Sequence, residues 1–341
     1  MNPTQPLAIT MGDAAGIGPE IIVKAFAAGQ AQDCVVVGDA QVIAAAAARL
    51  DISGALGPSV ARIEQVAQWH GLPPGVIPVL QADGLEPGSL RDLVPGRVDA
   101  RAGAAAHAAI VTAAQAALRD EVAAIVTAPI HKEALHAAGV PFPGHTELLQ
   151  HLAGGAPVRM MLANDELRTV LVTIHMSVRE AIDAVTFEAV LDTLRITHAA
   201  AQRWGQAHPR IAVAGLNPHA GEGGLFGDEE IRILAPAIEQ ARAEGIDASG
   251  PHAPDTVFMR ARNAPGHAGA FDVVVAMLHD HGLIPVKYMG LDAGVNVTLG
   301  LPFVRTSPDH GTAFDLAGRG CANPASLVSA IAMARQLISR A

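Results

Sequence analysis

Aromatic side chains are scarce in this sequence: of 341 residues, two are Trp, one is Tyr and eight are Phe. Ala, Val, Ile and Leu must therefore build the core. With half of all residues hydrophobic, that is the composition of Ala-rich helices packed on β-branched strands, an α/β protein. Cysteine is scarcer still. Cys34 and Cys321 are too few for a disulfide framework and fit a reducing compartment. No basic run occurs and the formal net charge is −10, which argues against a general nucleic-acid binder while allowing a local cationic pocket. No uncharged apolar run approaches the length of a membrane span. The first residues, MNPTQPLAIT, lack a cationic segment followed by a long apolar core, so no signal peptide is expected. These absences predict a soluble cytoplasmic protein with neither a nucleic-acid nor a membrane partner. The length accommodates two domains, or one large α/β domain with a second lobe.

Leu7 to Met11 reads as a first strand running into Gly12-Asp13-Ala14-Ala15-Gly16-Ile17-Gly18-Pro19-Glu20 and an apolar helix from Ile21. Pro19 suits a first helical turn, where its missing N–H costs nothing. These glycines do not follow the dinucleotide spacing G-x-G-x-x-G, and no acidic residue stands at the expected distance, so a standard Rossmann fold is rejected. Cys34 to Val37 is a second strand, followed by a helix from Ala40 to Leu50. The stretch from Asp51 to Val98 is rich in Pro and Gly and supports only short strands, Arg62 to Val66 and Val76 to Leu80. Ala100 to Arg119 is a long Ala-rich helix, and Val122 to Thr127 a buried strand ending in Ala128-Pro129-Ile130-His131-Lys132. Pro143-Gly144-His145-Thr146-Glu147 opens a helix. His145 and Thr146 suit anion binding at its first N–H groups, and Thr146 is equally readable as an N-cap.

Three further strands share one plan. Thr169 to Ile174 ends at His175, Ile211 to Leu216 at Asn217-Pro218-His219, and Val273 to Leu278 at His279. Ligands in open α/β sheets collect beyond the carboxyl ends of strands. Three imidazoles so placed are able to converge on one divalent metal and leave positions for a chelating substrate. A glycine-rich loop, Gly221 to Gly227, leads to Asp228-Glu229-Glu230, read as caps of a helix from Ile231 to Glu244. Pro254-Asp255-Thr256 begins a short helix, and Asn323 to Ser339 forms the last one.

The densest polar text lies between Val273 and Gly320. His279-Asp280-His281 is followed by Lys287, Asn296 and Arg305 at intervals of eight or nine residues, all among apolar segments. Asp309-His310-Gly311-Thr312 then leads into an expected helix start. Buried polar groups must be paired, and a bound anion or metal complex accounts for such a density.

Taken in order, MGDAAGIGPEI, TAPIHKEAL, FPGHTELL, LVTIHMSV, GLNPHAGEGGLFGDEE, PDTVF, AMLHDHGLIPVK and GVNVTLGLPFVRTSPDHGTAFDLAG closely resemble the 4-hydroxythreonine-4-phosphate dehydrogenase family of vitamin B6 biosynthesis, over nearly the whole chain. The resemblance implies a two-lobed α/β/α fold with a cleft between the lobes, like isocitrate and isopropylmalate dehydrogenases. The expected division is a terminal lobe of residues 1–130 and 300–341, holding much of the NAD, and a middle lobe of 131–299. By the same resemblance, His175, His219 and His279 match metal ligands in a site shared between subunits of a homodimer. His145, Thr146, Lys287, Asn296 and Arg305 match substrate-binding positions. Asp309, His310, Gly311, Thr312 and Asp315 would face the adenosine half of NAD or NADP. Ala14 stands where many members have Pro, and His281 where members usually have Gln, beside a metal-ligand position.

The implied reaction is oxidation of a secondary alcohol β to a carboxylate, with hydride passing to NAD(P)+ and the β-keto acid then losing CO2. The implied substrate is 4-phosphohydroxy-L-threonine and the product 3-amino-2-oxopropyl phosphate. A divalent ion (Zn, Co, Ni, Fe, Mg or Mn) would stabilise the alkoxide and then the enolate, with His279 a ligand and Lys287 a proton relay or a cationic partner. Arg305, with its planar fork, suits a bidentate anion contact. D-threonate or D-erythronate 4-phosphate, giving dihydroxyacetone phosphate, are alternative substrates. A cis-dihydrodiol carboxylate dehydrogenase and a non-catalytic metal- and phosphate-binding relative are more distant readings.

Overall fold

In the computed structural model, residues 5–50, 57–290 and 293–338 are described. The chain divides into two compact units: Met1–Ala156 with Leu301–Ile338 (unit 1), and Pro157–Gly300 (unit 2).

Unit 1 opens with strand β1 (Leu7–Thr10), helix α1 (Gly18–Ala27), β2 (Cys34–Gly38) and α2 (Ala40–Arg49). After it come β3 (Val60–Ile63), β4 (Ile77–Gln81), α3 (Ala100–Leu118), β5 (Ala124–Thr127), α4 (Lys132–Ala137) and α5 (His145–Leu152). Every residue of β1, β2 and β5 is buried, as apolar runs in the centre of a parallel sheet should be. The two short strands read in the Pro- and Gly-rich stretch are present as β3 and β4, shifted by a few residues. Residues 51–56 of that stretch lie outside the described residues. Asp39 caps α2 by accepting from the N–H groups of Gln41 and Val42, and Asp99 caps α3 through Arg101.

Unit 1 keeps the chain as far as Ala156, so its edge falls at 156/157 rather than at the expected 130/131. Gly103 supplies a reason. A Cβ there would stand 2.0 Å from the Ala134 carbonyl, so only glycine lets α4 lie directly on α3. His145 and Thr146 therefore belong to the terminal unit.

Unit 2 runs through β6 (Arg159–Ala163), β7 (Arg168–Leu171), α6 (Val178–Ala184), α7 (Phe187–Arg203), β8 (Ile211–Ala214), α8 (Ala235–Ala243), β9 (Ala248–His252), α9 (Val257–Ala261), β10 (Val273–Ala276), α10 (His279–Tyr288) and β11 (Val295–Leu299). The chain then returns to unit 1 with β12 (Val304–Pro308) and α11 (Ala325–Ile338). Ser339, the expected end of this last helix, is not among the described residues.

The strands of unit 1 lie in the order β3-β4-β2-β1-β5-β12, with every pair between neighbours parallel. From β1 the chain builds outward through β2, while β5 lies on the other side of β1, so the switch in direction falls between β1 and β5. Crevices at such a point, beyond the carboxyl ends, are where open α/β sheets hold ligands. In unit 2 the order is β11-β6-β7-β10-β8-β9, parallel from β7 onward and antiparallel at β11–β6 and β6–β7. The expected α/β class is the one observed. Among the described residues, no helix is long and apolar enough to cross a membrane.

Two expected elements differ. No helix starts after Asp309–Thr312, where residues 309–324 form turns and Ala313 takes a left-handed φ of 41°. The backbone of that loop is already engaged by α1. Glu20 accepts from the N–H groups of Gly320 (3.2 Å) and Ala322 (2.7 Å), and the Lys24 ammonium donates to both carbonyls. His279, read as the end of a strand, is instead the first residue of α10, which the internal Pro285 had concealed.

Candidate functional site

The carboxyl ends of β1, β5 and β12 lie side by side in unit 1 and carry a cluster of buried polar atoms. Arg305, inside β12, is 4% exposed and donates from Nη2 to Thr127 Oγ1 at 2.6 Å. Burial lowers its pKa to about 10, with the Glu147 carboxylate acting in the opposite direction. His145 opens α5, and its Nε2 is closed to solvent without a hydrogen-bond partner among the described residues. Burial, and then the Arg305 charge, hold its pKa well below the ordinary imidazole value, so His145 is neutral near pH 7. The N-cap of α5 is Gly144 and not Thr146, which sits inside the first turn. The capping reading of Thr146 is thereby corrected: the chain is already helical at His145.

Asp13 lies three residues beyond β1 and is 1% exposed. Its Oδ1 accepts from the Ala15 N–H at 2.8 Å, while Oδ2 is buried with no hydrogen-bond partner among the described residues. Burial pushes this carboxyl up, against the Ala15 N–H and His131, which favour its charge. His131, four residues beyond β5, stacks on Phe314 with centroids 4.5 Å apart, and its Nδ1 is buried and unbonded. The Oγ1 of Thr10, last residue of β1, is in the same condition. Four such atoms at one sheet edge are unusual, because native structures pair nearly all buried polar groups. A polar ligand offering both donors and acceptors would satisfy them. Sequence reading passed over Asp13, His131 and Thr127, whose only signal was their place at the ends of buried strands.

The proposed nucleotide-facing residues also lie in unit 1. Thr312 is buried, and its carbonyl accepts from the Ile17 N–H at 3.1 Å. His310 and Asp315 are exposed, Asp309 half-buried, and Gly311 is at the surface.

In unit 2, His175, His279 and His219 leave the carboxyl ends of β7, β10 and β8, three adjacent parallel strands. The rings of His175 and His279 approach to 5.6 Å between centroids, and His279 Nδ1 bonds Asp280 Oδ1 at 2.8 Å. His219 faces Glu222 instead, its Nδ1 3.2 Å from Oε2. It stands on a left-handed turn in which His219, Ala220, Gly221, Glu222 and Gly223 all have φ between 46° and 78°. Such backbone costs a non-glycine residue about 1–2 kcal/mol, and strain of this kind gathers at functional sites. Glu230 holds the turn. Its buried carboxylate accepts from the N–H groups of Leu216 (2.8 Å) and Asn217 (2.7 Å) and from Asn217 Nδ2 (2.9 Å). Glu230 is thus a buried pin rather than the helix cap expected of it. Asp228 pairs with Arg232.

Among the described residues, no group of three His, Cys, Asp or Glu side chains is arranged to hold a metal ion. One chain therefore brings two of the three imidazoles together and not the third. Lys287, on α10, and Asn296, on β11, are half-buried, and His281 is half-buried with Nδ1 unbonded.

The family described as "Pyridoxal phosphate biosynthetic protein PdxA" matches residues 30–334. The chain belongs to the PdxA family. A 4-hydroxythreonine-4-phosphate dehydrogenase of Beijerinckia indica is 56% identical over 97% of this chain and 95% of its own length. A D-threonate 4-phosphate dehydrogenase of Salmonella typhimurium is 47% identical over 98% of this chain and 99% of its own. Among solved structures, a 4-hydroxythreonine-4-phosphate dehydrogenase from Klebsiella pneumoniae superposes with a TM-score of 0.88 at 44% identity, covering 98% of both chains. The motif blocks and the whole-chain match thus agree, and PdxA relatives carry both substrate names considered above.

Proposed function

We propose that this PdxA-family protein is a metal-dependent, NAD(P)-linked dehydrogenase that converts 4-phosphohydroxy-L-threonine to 3-amino-2-oxopropyl phosphate and CO2. The observation that carries the reading is the buried Arg305, bonded to Thr127 beside a neutral His145. A guanidinium in such a place gains most from a dianionic partner, and a phosphate supplies one in a geometry its fork matches. His145 adds a neutral ring nitrogen, able to hydrogen-bond without cancelling charge. Thr146, Lys287 and Asn296 are assigned as further substrate contacts on the motif resemblance, and Lys287 also returns a proton to the carbon that loses CO2.

The nicotinamide supplies the hydride acceptor. In the balanced reaction, the C3 hydroxyl loses its proton and C3 loses a hydride to NAD(P)+. The C1–C2 bond then breaks, and C2 takes up a proton. On the motif resemblance, we assign His175, His219 and His279 to a metal site shared between two copies of the chain. Localisation to the cytoplasm is part of the same reading, with Cys34 and Cys321 both free thiols.

A second reading, oxidation of D-threonate 4-phosphate, is favoured by the Salmonella relative, and His281, beside the metal-ligand position, is the first residue to test for that choice. NADH or NADPH formation on 4-phosphohydroxy-L-threonine, D-threonate 4-phosphate and D-erythronate 4-phosphate separates them. The first proposal predicts the highest kcat/KM on the amino acid. Preference for a sugar acid selects the second, and no turnover on any of them, with metal supplied, rejects both.

A further inference from the structure

At the opposite end of the unit 1 sheet from the carboxyl ends that carry Thr127 and Asp13, a cavity of about 300 Å3 opens beside the first residues of β2 and β4. Trp69 and His70 line it from a short 3-10 helix (Val66–Gly71), with ring centroids 4.4 Å apart and planes tilted by 35°. Phe26, near the end of α1, lines it with Pro74 and Pro78, and Gln32 contributes an amide. Of the two tryptophans in the chain, Trp204 is 6% exposed, whereas Trp69 is only half-buried and borders this open space. A flat ligand covering Trp69 would remove further apolar surface from water.

The cavity is formed before any ligand arrives. Gln68 Oε1 accepts from the N–H groups of Glu64 (2.7 Å) and Gln65 (3.0 Å), which fixes the start of the 3-10 helix. The Trp69 carbonyl accepts from the Leu72 N–H at 3.3 Å, closing that helix. The next four residues make a turn of the type II pattern. The Val76 N–H donates to the Pro73 carbonyl at 3.3 Å, Pro74 stands second, and Gly75 stands third with a φ of 82°. Proline rings fix their own φ, so this side of the cavity has little freedom left to lose on binding.

The lining decides what fits. It contains no Asp, Glu, Lys or Arg. A phosphate or carboxylate entering it would find no Lys or Arg to replace its hydration, which sets this cavity apart from any site for the phosphorylated substrate or for the diphosphate of a dinucleotide. The indole and the proline rings instead offer flat apolar surface on which a nucleic-acid base stacks. The Gln32 amide adds a donor beside an acceptor, the pair that matches the N6 and N7 edge of adenine.

We propose that this cavity binds an uncharged purine, as free base or nucleoside, stacked on Trp69 with its polar edge on Gln32. The proposal stands apart from the dehydrogenase reading, and its test uses no turnover. In protein labelled with 5-fluorotryptophan, the Trp69→Phe variant assigns the two fluorine resonances, one from each tryptophan. Adenine should move the Trp69 resonance along a saturable curve, with a Kd on the order of 10⁻⁴ M, and leave that of Trp204 in place. Because the signal belongs to Trp69, adenine bound elsewhere on the protein does not contribute. Gln32→Leu should weaken adenine by about ten-fold without weakening indole, which is flat but lacks that polar edge. Urate, a purine that carries a negative charge at neutral pH, should bind at least about ten-fold more weakly than adenine. No saturable shift of Trp69 up to about 10 mM adenine, or equal shifts of both tryptophans, overturns the proposal. So does an adenine affinity that survives Gln32→Leu, a loss in that variant that indole shares, or urate binding as tightly as adenine.

Discussion

The two units present their candidate chemistry in opposite ways. In unit 1 the polar groups are buried at the ends of parallel strands, and Thr127 and β12 fix the Arg305 guanidinium before anything binds. In unit 2 the histidines sit at the surface: His175 and His219 are exposed, and His219 rides on a strained turn. A buried, preorganised charge loses hydration on folding and repays that loss when an anion arrives. An exposed imidazole loses little, but holds a metal only when other donors converge on it. Under the proposed function, unit 1 would recognise the substrate anion through a preorganised charge, and the imidazoles of unit 2 would need further donors to hold a metal.

The largest effect that would sharpen this contrast is expected at Arg305. Arg305→Met should lower kcat/KM by about 10²- to 10⁴-fold, as losing one partner of a desolvated charge pair costs about 3–5 kcal/mol. The melting temperature should not fall, because an apolar side chain of similar length removes a buried charge. A variant that loses stability and keeps activity would show the guanidinium to be structural.

For unit 2 the decisive experiment mixes two dead variants. His219→Ala and His279→Ala should each abolish metal-dependent turnover and leave the melting temperature nearly unchanged, since both side chains are at least partly exposed. If two copies share the metal set, co-refolded mixtures recover about a quarter of wild-type activity, from the one intact site in each mixed dimer. No recovery would place all three ligands within one chain.

The same comparison extends to pH. Arg305 is cationic below its depressed pKa of about 10, so phosphate binding should hold through neutral pH and weaken as pH rises through 10. A substrate-affinity profile measured from pH 7 to 11 checks this, and affinity that is flat to pH 11 would remove Arg305 from the anion site. His145 should add no step near neutrality, because its pKa lies well below the ordinary value.

The smallest effect is on stability. Glu230→Ala leaves the Leu216 and Asn217 N–H groups without their acceptor and should destabilise the protein by about 2–3 kcal/mol in denaturant titration. Metal affinity should fall as well, because the turn under His219 loses its pin. Unchanged metal affinity would detach the strained turn from function.

Sequence text alone carried much of this. The apolar runs of β1, β2, β5, β8 and β10 fixed an α/β protein, since short buried runs separated by Ala-rich helices admit few other folds. Residues that end such strands were legible as candidates, and the motif blocks named a family that the whole-chain match supports. Other features depended on contacts between residues far apart in the chain. Thr127 meets Arg305 across 178 positions, and Glu20 pins the loop after β12, where a helix start had been expected, from about 300 residues away. The left-handed turn at His219 and the separation of that ring from His175 and His279 are likewise invisible in the order of residues. Periodicity reports which face of an element is buried, and only the folded chain decides which side chains meet there.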